Sequence, residues 1–361
     1  MQSLIGLPGT MFEAFGGALA QTMFGRDPFA KPALAPTPRD EVWADGTARI
    51  YRFRRPADVA ARAARPVFLV PSMINRWYVL DLRPGASLVH ALVQGGFDVY
   101  CLDWGVPRDE DRFFTWDDVL TRLDRASRFV QRTTATDSLG VLGYCMGATL
   151  SSIHAALHPK QVAALVNLAG PVDFGKAGML ATFTDPRWFD PEAITAPGNL
   201  APMQMQDGFT ALRPTAQLAK AMTQIDRAGD PMAMEAFAAL EAWASDNVAF
   251  PAAAYVTYIK DLYQQNALVR GEHRVKGERV DLSRITAPVL SITAERDVIC
   301  PPAAADALLD AVSSQSKTRL TVPGGHVGAV VGSRATHKLY PALVKWFGEV
   351  LATDHNVAHD R

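Results

Sequence analysis

From residue 48 onward, short and almost purely apolar runs alternate with longer stretches in which apolar positions recur at helical spacing. The runs 48–53, 66–70, 97–102, 139–142, 163–168, 289–293 and 319–322 have the length and composition of strands. Between most of them lie helix-length segments, such as 85–94, 116–132 and 149–157. Strand and helix in turn is the rhythm of a parallel sheet with helical crossovers, which a sandwich of hairpins does not need. The pattern therefore predicts an open α/β sheet. Between 174 and 277 the rhythm breaks: no clear strand is visible, the pattern is mostly helical, and six of the eleven methionines fall there. Inserted after the strand ending near Leu168, this stretch is expected to cap the carboxyl edge of the sheet. The expected divisions are an N-terminal arm and Pro-rich linker (1–40), a core (41–173 and 278–352), a helical cap insertion (174–277) and a polar tail (353–361).

Composition narrows the class. A hydrophobic fraction of 48% with 20% charged residues suits a globular protein with a large core. A formal net charge of -1 offers no attraction to nucleic acid or to an anionic membrane. Cys101, Cys145 and Cys300 form no regular spacing and leave one thiol over in any disulfide scheme, which favours a reducing compartment. The apolar start, 1–24, has no Lys or Arg before Arg26 and is interrupted by Glu13, so neither a signal peptide nor a spanning helix is expected. Pro28, Pro32, Pro36 and Pro38 then read as an extended linker.

The candidate chemistry sits at Gly143-Tyr144-Cys145-Met146-Gly147, which has the spacing of the G-x-S-x-G nucleophile elbow with cysteine in place of serine. An apolar run precedes it and a helical pattern follows, the strand–turn–helix context that the motif requires. The flanking glycines let the backbone turn tightly and lift the sulfur beside the amide end of a helix, where a thiolate is stabilised. A structural reading, a buried cysteine acting as a small hydrophobe, fits a lone motif equally well. The rest of the chain decides against it. Nucleophile, acid and histidine follow in hydrolase order: Asp297 lies just past the run 289–293, and His326 lies in a glycine-rich turn after the run 319–322. Glu295 and Asp173 are the rival acids. His154 and His158 lie too far along the helix after Cys145, His90 and His337 fall on surface helices, His273 in a charged stretch, and His355 and His359 in the tail. The oxyanion donors expected are the amide of Met146, after the nucleophile, and that of Ile74 in the loop 71–78, with Asn75 as a supporting or direct donor. Cys300 is read as an incidental core thiol. No metal-ligand spacing, Walker loop or dinucleotide fingerprint is visible in the sequence. Together these features predict an α/β-hydrolase fold, with a mostly parallel sheet and a helical cap insertion.

Several separate motifs then resemble the polyhydroxyalkanoate synthases, which polymerise hydroxyacyl-CoA thioesters into storage polyester. Gly143 to Gly147 is similar to the family's modified lipase box, Ile74 to Leu82 to its early loop, and Val99 to Gly105 to its strand ending in Asp-Trp-Gly. Trp243, Asp246 and Pro251 are spaced like its cap signature, which Tyr255 to Asn266 continues, and Asp297 and His326 fall where its catalytic pair belongs. With only a short arm before its first strand, the chain looks like the short catalytic subunits. The resemblance implies an acyltransferase with a cysteine thioester intermediate, (R)-3-hydroxyacyl-CoA as substrate rather than cofactor, and a growing polyester chain as product. It further implies a second synthase subunit as a possible partner, a homo-oligomer, no metal, no nucleic acid and no membrane span, and work in the cytoplasm at the polyester granule surface. Two alternatives use the same residues differently: a cysteine hydrolase or thioesterase, and a catalytically silent granule-binding relative.

Overall fold

Eight strands build the central sheet of the computed structural model, which describes residues 32–212, 222 and 229–352. In chain order they are β1 (Arg39–Asp45), β2 (Ala48–Phe53), β3 (Val67–Val70), β4 (Val99–Asp103), β5 (Leu139–Tyr144), β6 (Val162–Leu168), β7 (Val289–Ala294) and β8 (Lys317–Val322). Their spatial order is β1-β2-β4-β3-β5-β6-β7-β8. The pairs β1/β2 and β2/β4 are antiparallel, and every other pair is parallel. The helices that cover the sheet or follow its strands are α1 (Leu88–Gln94), α2 (Trp116–Thr134), α3 (Met146–Leu157), α4 (Pro202–Ala211), α5 (Pro231–Ser245), α6 (Ala252–Thr257), α7 (Pro302–Ala311) and α8 (Ser333–Val350).

The central strands are apolar throughout because both faces are covered. Every residue of β3, β5 and β7 is buried. Side chains of β3 alternate between two cores. Phe68 and Val70 pack with Trp116 and Leu123 of α2 and Leu150 of α3, whereas Val67 and Leu69 pack with Leu92 of α1 and Phe347 of α8. Caps start the covering helices where the sequence supplies them: Thr115 and Asp118 form a reciprocal capping box on α2, and the Ser87 hydroxyl accepts the His90 amide at the start of α1.

Two elements depart from the sequence reading. Strand β1 was not foreseen: its sequence, RDEVWAD, is half-exposed and charged, as suits an edge strand that only one neighbour pairs. Helix α1 begins at Leu88 rather than 85, because residues 81–87 close a small hairpin around Gly85, whose φ of 77° is left-handed. The buried Asp81 carboxylate ties that hairpin to the segment before β1, accepting from Ser87 Oγ at 2.6 Å and Thr37 Oγ1 at 2.7 Å.

Between β6 and β7 the chain is mainly helical. Short helices at Met179–Phe183 and Pro191–Thr195 precede α4 and α5, and α6 runs on into a π-helical stretch, Tyr258–Gln264. Its extended pairings are a bridge between Leu200 and Phe250 and a two-residue ribbon, Arg274–Val275 with Glu278–Arg279. Among the described residues no helix is long and apolar enough to cross a membrane. Residues 1–31 of the expected N-terminal arm and the tail 353–361, with His355 and His359, lie outside the described residues.

Candidate active site

The strand β5 delivers Cys145 to the carboxyl edge of the sheet, and α3 starts at the next residue. Cys145 itself takes the strained backbone of the turn, with φ 56° and ψ −129°. Its amide donates to the Leu168 carbonyl of β6 at 2.9 Å, and its carbonyl accepts from Ala148 at 2.9 Å. The flanking glycines serve a different purpose from the one the motif suggests. Neither has a positive φ. A Cβ on Gly147 would stand 2.0 Å from the Val70 carbonyl oxygen, and one on Gly143 would stand 2.3 Å from the Ala148 Cα. They are required because α3 packs directly against the end of β3 and back onto β5, not because the chain turns left-handed at them.

Asp297 and His326 come to the same edge from the loops after β7 and β8. The Asp297 carboxylate is fixed at one oxygen by the amides of Ile299 and Cys300, both at 2.9 Å. Its other oxygen holds His326 Nδ1 at 2.7 Å. This leaves His326 Nε2 buried and facing the Cys145 sulfur. Burial alone would keep the imidazole neutral. The negative charge of a Cys145 thiolate, with the Asp297 hydrogen bond, outweighs it and pushes the His326 pKa up to about 10. Tyr144, the residue before the nucleophile, stacks its ring on the imidazole with centroids 5.4 Å apart and 28° between planes. Sequence reasoning passed over Tyr144, since a strand position with no chemical motif of its own gives no sign of what it will face.

The rival acids stand elsewhere. Glu295 is exposed, with its amide on the Val322 carbonyl. Asp173 is bonded to Asn266 and Lys176; burial raises its pKa, but these partners outweigh that and lower it. His90 and His337 are exposed on α1 and α8. His273, in its charged stretch, is buried, where its Nε2 accepts from the Trp116 indole at 3.1 Å. His154 and His158 lie at the far end of α3.

Of the expected oxyanion donors, Met146 is the first residue of α3, and Ile74 lines the same cavity as Cys145. The Asn75 side-chain amide donates to Asn247 Oδ1 at 2.5 Å. That contact is one of a set. The Trp243 indole donates to the Arg76 carbonyl at 2.9 Å, the Tyr78 hydroxyl donates to Asp246 Oδ2 at 2.7 Å, and the Val248 amide donates to the Ile74 carbonyl at 3.3 Å. The loop after β3 is thus clasped to residues 243–248 at the end of α5. Two motifs far apart in sequence form one structure.

Above the thiol lies a cavity of about 340 Å³, walled mostly by apolar side chains of the helical segment, among them Phe183, Phe189, Phe209 and Tyr258. The π-helical stretch sets Tyr258 edge to face with Tyr263, with ring centroids 5.5 Å apart and 75° between planes, and both line the wall. Cys300, read as an incidental core thiol, is buried in this wall as well. Its spacing from Asp297 was the available clue, since the amide that anchors Asp297 also fixes where residue 300 lies. A second opening of similar size is lined by Gln206, Phe209, Arg296 and His326.

Comparison with known proteins agrees with this geometry. A family model described as the alpha/beta hydrolase fold matches residues 66–333, and one described as the poly-beta-hydroxybutyrate polymerase (PhaC) N-terminus matches residues 32–92. The chain is 34% identical to the poly(3-hydroxyalkanoate) polymerase subunit PhaC of Haloferax mediterranei, over 88% of this chain and 65% of that protein. It is 32% identical to the subunit PhaC of Allochromatium vinosum, over 87% of this chain and 89% of that one. Among solved structures, a hydrolase from Pseudomonas aeruginosa superposes with a TM-score of 0.53 at 16% identity, covering 86% of this chain and 98% of that one, a likeness of fold. An elbow bearing cysteine, a histidine and an aspartate gathered at one sheet edge, and relatives of this identity and coverage lead to one conclusion: the chain belongs to the poly(3-hydroxyalkanoate) polymerase (PhaC) family, acyltransferase catalytic subunits built on the α/β-hydrolase fold.

Proposed function

We propose that this protein polymerises (R)-3-hydroxyacyl-CoA into polyester, with release of CoA, through a thioester on Cys145. The observation that carries the proposal is the series Asp297–His326–Cys145, opening onto an apolar cavity in a chain of this family. The Cys145 thiolate attacks the thioester carbonyl, and the tetrahedral oxyanion is met by the amides of Met146 and Ile74. Collapse expels CoA as a thiolate, which takes the proton of the His326 imidazolium. Acylation has then removed the negative charge that kept His326 protonated, so the same imidazole becomes a base. It accepts the proton of a second unit's 3-hydroxyl, whose oxygen attacks the Cys145 thioester and lengthens the chain by one ester. The thiolate is expelled and pairs again with the imidazolium.

Thiolate and imidazole supply both nucleophile and proton, so this chemistry calls on no cofactor or metal, and acyl-CoA enters as substrate. An apolar cavity suits the acyl chain and keeps water from the thioester. Work in the cytoplasm at the surface of the insoluble product, as a homo-oligomer and with a second synthase subunit, belongs to the same reading. The test is purified protein with 3-hydroxybutyryl-CoA, following thiol release and insoluble product together. Both signals are expected, and both are lost in Cys145→Ala with the fold retained. Release of thiol with only soluble hydroxy acid would replace this reading by a thioesterase. If neither signal appears until a second subunit is added, the requirement for that partner is established.

A further inference from the structure

At the opposite end of α3 from the thiol, roughly 13 Å along the helix axis, lies a second cluster of chemically capable side chains. Asp124 comes from α2, His154 from the last turn of α3, and His158 from the residue that ends it. We infer that Asp124, His154 and His158 form a binding site for one divalent transition-metal ion of the Zn²⁺ type, which joins α2 to the end of α3.

Three observations carry this. First, one ligand atom of each residue lies within 4.8 Å of the others. His158 Nε2 stands 3.6 Å from Asp124 Oδ1, close to the separation of about 3.3 Å between ligands of a tetrahedral ion bonded at ~2.0–2.1 Å. Histidines four apart at a helix end face the same side, as the 4.9 Å between their ring centroids reflects. Second, His154 is 2% exposed, and its Nε2 has no hydrogen-bond partner. Third, Gln161 Oε1 is also buried without a partner, while Gln161 Nε2 lies 3.4 Å from Asp124 Oδ1. Turned over, this amide would set its oxygen beside a carboxylate oxygen, an arrangement that a shared cation stabilises. Gln161 is thus placed to complete the coordination.

Arg128 also reaches the Asp124 carboxylate, with Nε 2.9 Å from Oδ2 and 3.1 Å from Oδ1. The shorter contact is to Oδ2, so the guanidinium can hold that oxygen while Oδ1 turns to the ion, as outer partners of ligating carboxylates commonly do. A packing role alone would leave His154 Nε2 buried and unmatched.

The test uses the full-length protein in a Cys145→Ala background, so that no thiol–imidazole pair competes for the ion. Protein dialysed against a chelator is titrated with Co²⁺, read by its visible absorption, and then with Zn²⁺. One equivalent is expected to bind, Zn²⁺ should displace Co²⁺, and the unfolding midpoint should rise with Zn²⁺. His158→Ala and Asp124→Asn, both at partly exposed positions, should each weaken binding at least tenfold while leaving the circular dichroism and the metal-free midpoint at parental values. Absence of saturable binding overturns the inference, as does affinity that either folded variant leaves unchanged. None of these readings depends on polymerase activity.

Discussion

His326 illustrates how much one neighbour determines at the scale of a residue. Burial pulls its imidazole toward neutrality, and the Cys145 thiolate with Asp297 reverses that, to a pKa of about 10. The sign gives a prediction. While Cys145 carries its charge, the imidazolium should persist through neutral pH and lose its proton only near pH 10. Capping Cys145 with iodoacetamide removes the charge, so the midpoint must move down. Imidazole resonances followed against pH, with His326 assigned by comparison with His326→Gln, should show that downward displacement in the capped protein. An identical midpoint before and after capping would refute the acid-to-base change on which the proposed cycle depends. Cys145, Asp297 and His326 were legible in the sequence because each follows an apolar strand or sits between glycines, signals that are local. Tyr144 was not, and Cys300 only through its spacing from Asp297. Tyr144 is recognised only by the ring it stacks on, and the place of Cys300 in the cavity wall is seen only in the folded chain.

Elements were legible in proportion to how fully they are buried. Strands β3, β5 and β7 are apolar along their whole length because neighbours and helices enclose them, and such runs stand out in any sequence. The edge strand β1 carries four charged residues, Arg39, Asp40, Glu41 and Asp45, and resembles a loop. The π-helical turn at 258–264 leaves no periodic trace either, since its seven residues do not complete a second wide turn. The clasp between the β3 loop and the end of α5 joins residues 167 to 174 apart in sequence, too far for any pattern to announce. Trp243→Phe keeps most of the ring and deletes the bond to the Arg76 carbonyl. It should cost about 1 kcal/mol in urea unfolding. If the clasp also sets the oxyanion loop, kcat should fall severalfold with a smaller change in KM. An unaltered kcat in the folded variant would separate the clasp from catalysis.

For the molecule as a whole, the decisive relation is between the sheet edge and the helical segment above it. The break in the strand–helix rhythm revealed that segment, but not which of its side chains would wall the cavity, because the docking is a matter of long-range packing. If the apolar wall protects the acyl-enzyme from water, Phe183→Asn, at a half-buried wall position, should raise the proportion of turnovers that end as free hydroxy acid. The ratio of soluble acid to insoluble polymer at equal CoA release measures this, and a ratio unchanged from the parent would count against a sealing role for the wall. The clasp has one more consequence. The Ile74 carbonyl receives the Val248 amide, and the Ile74 amide is the proposed partner of the oxyanion, so the helical segment and the catalytic loop share a single hinge pin. If the cover lifts to admit substrate, it pulls on the peptide that the proposed reaction needs in register, as a door interlock cuts power when the door is opened. On the proposed mechanism, the water-sensitive thioester would then form only with the cover shut.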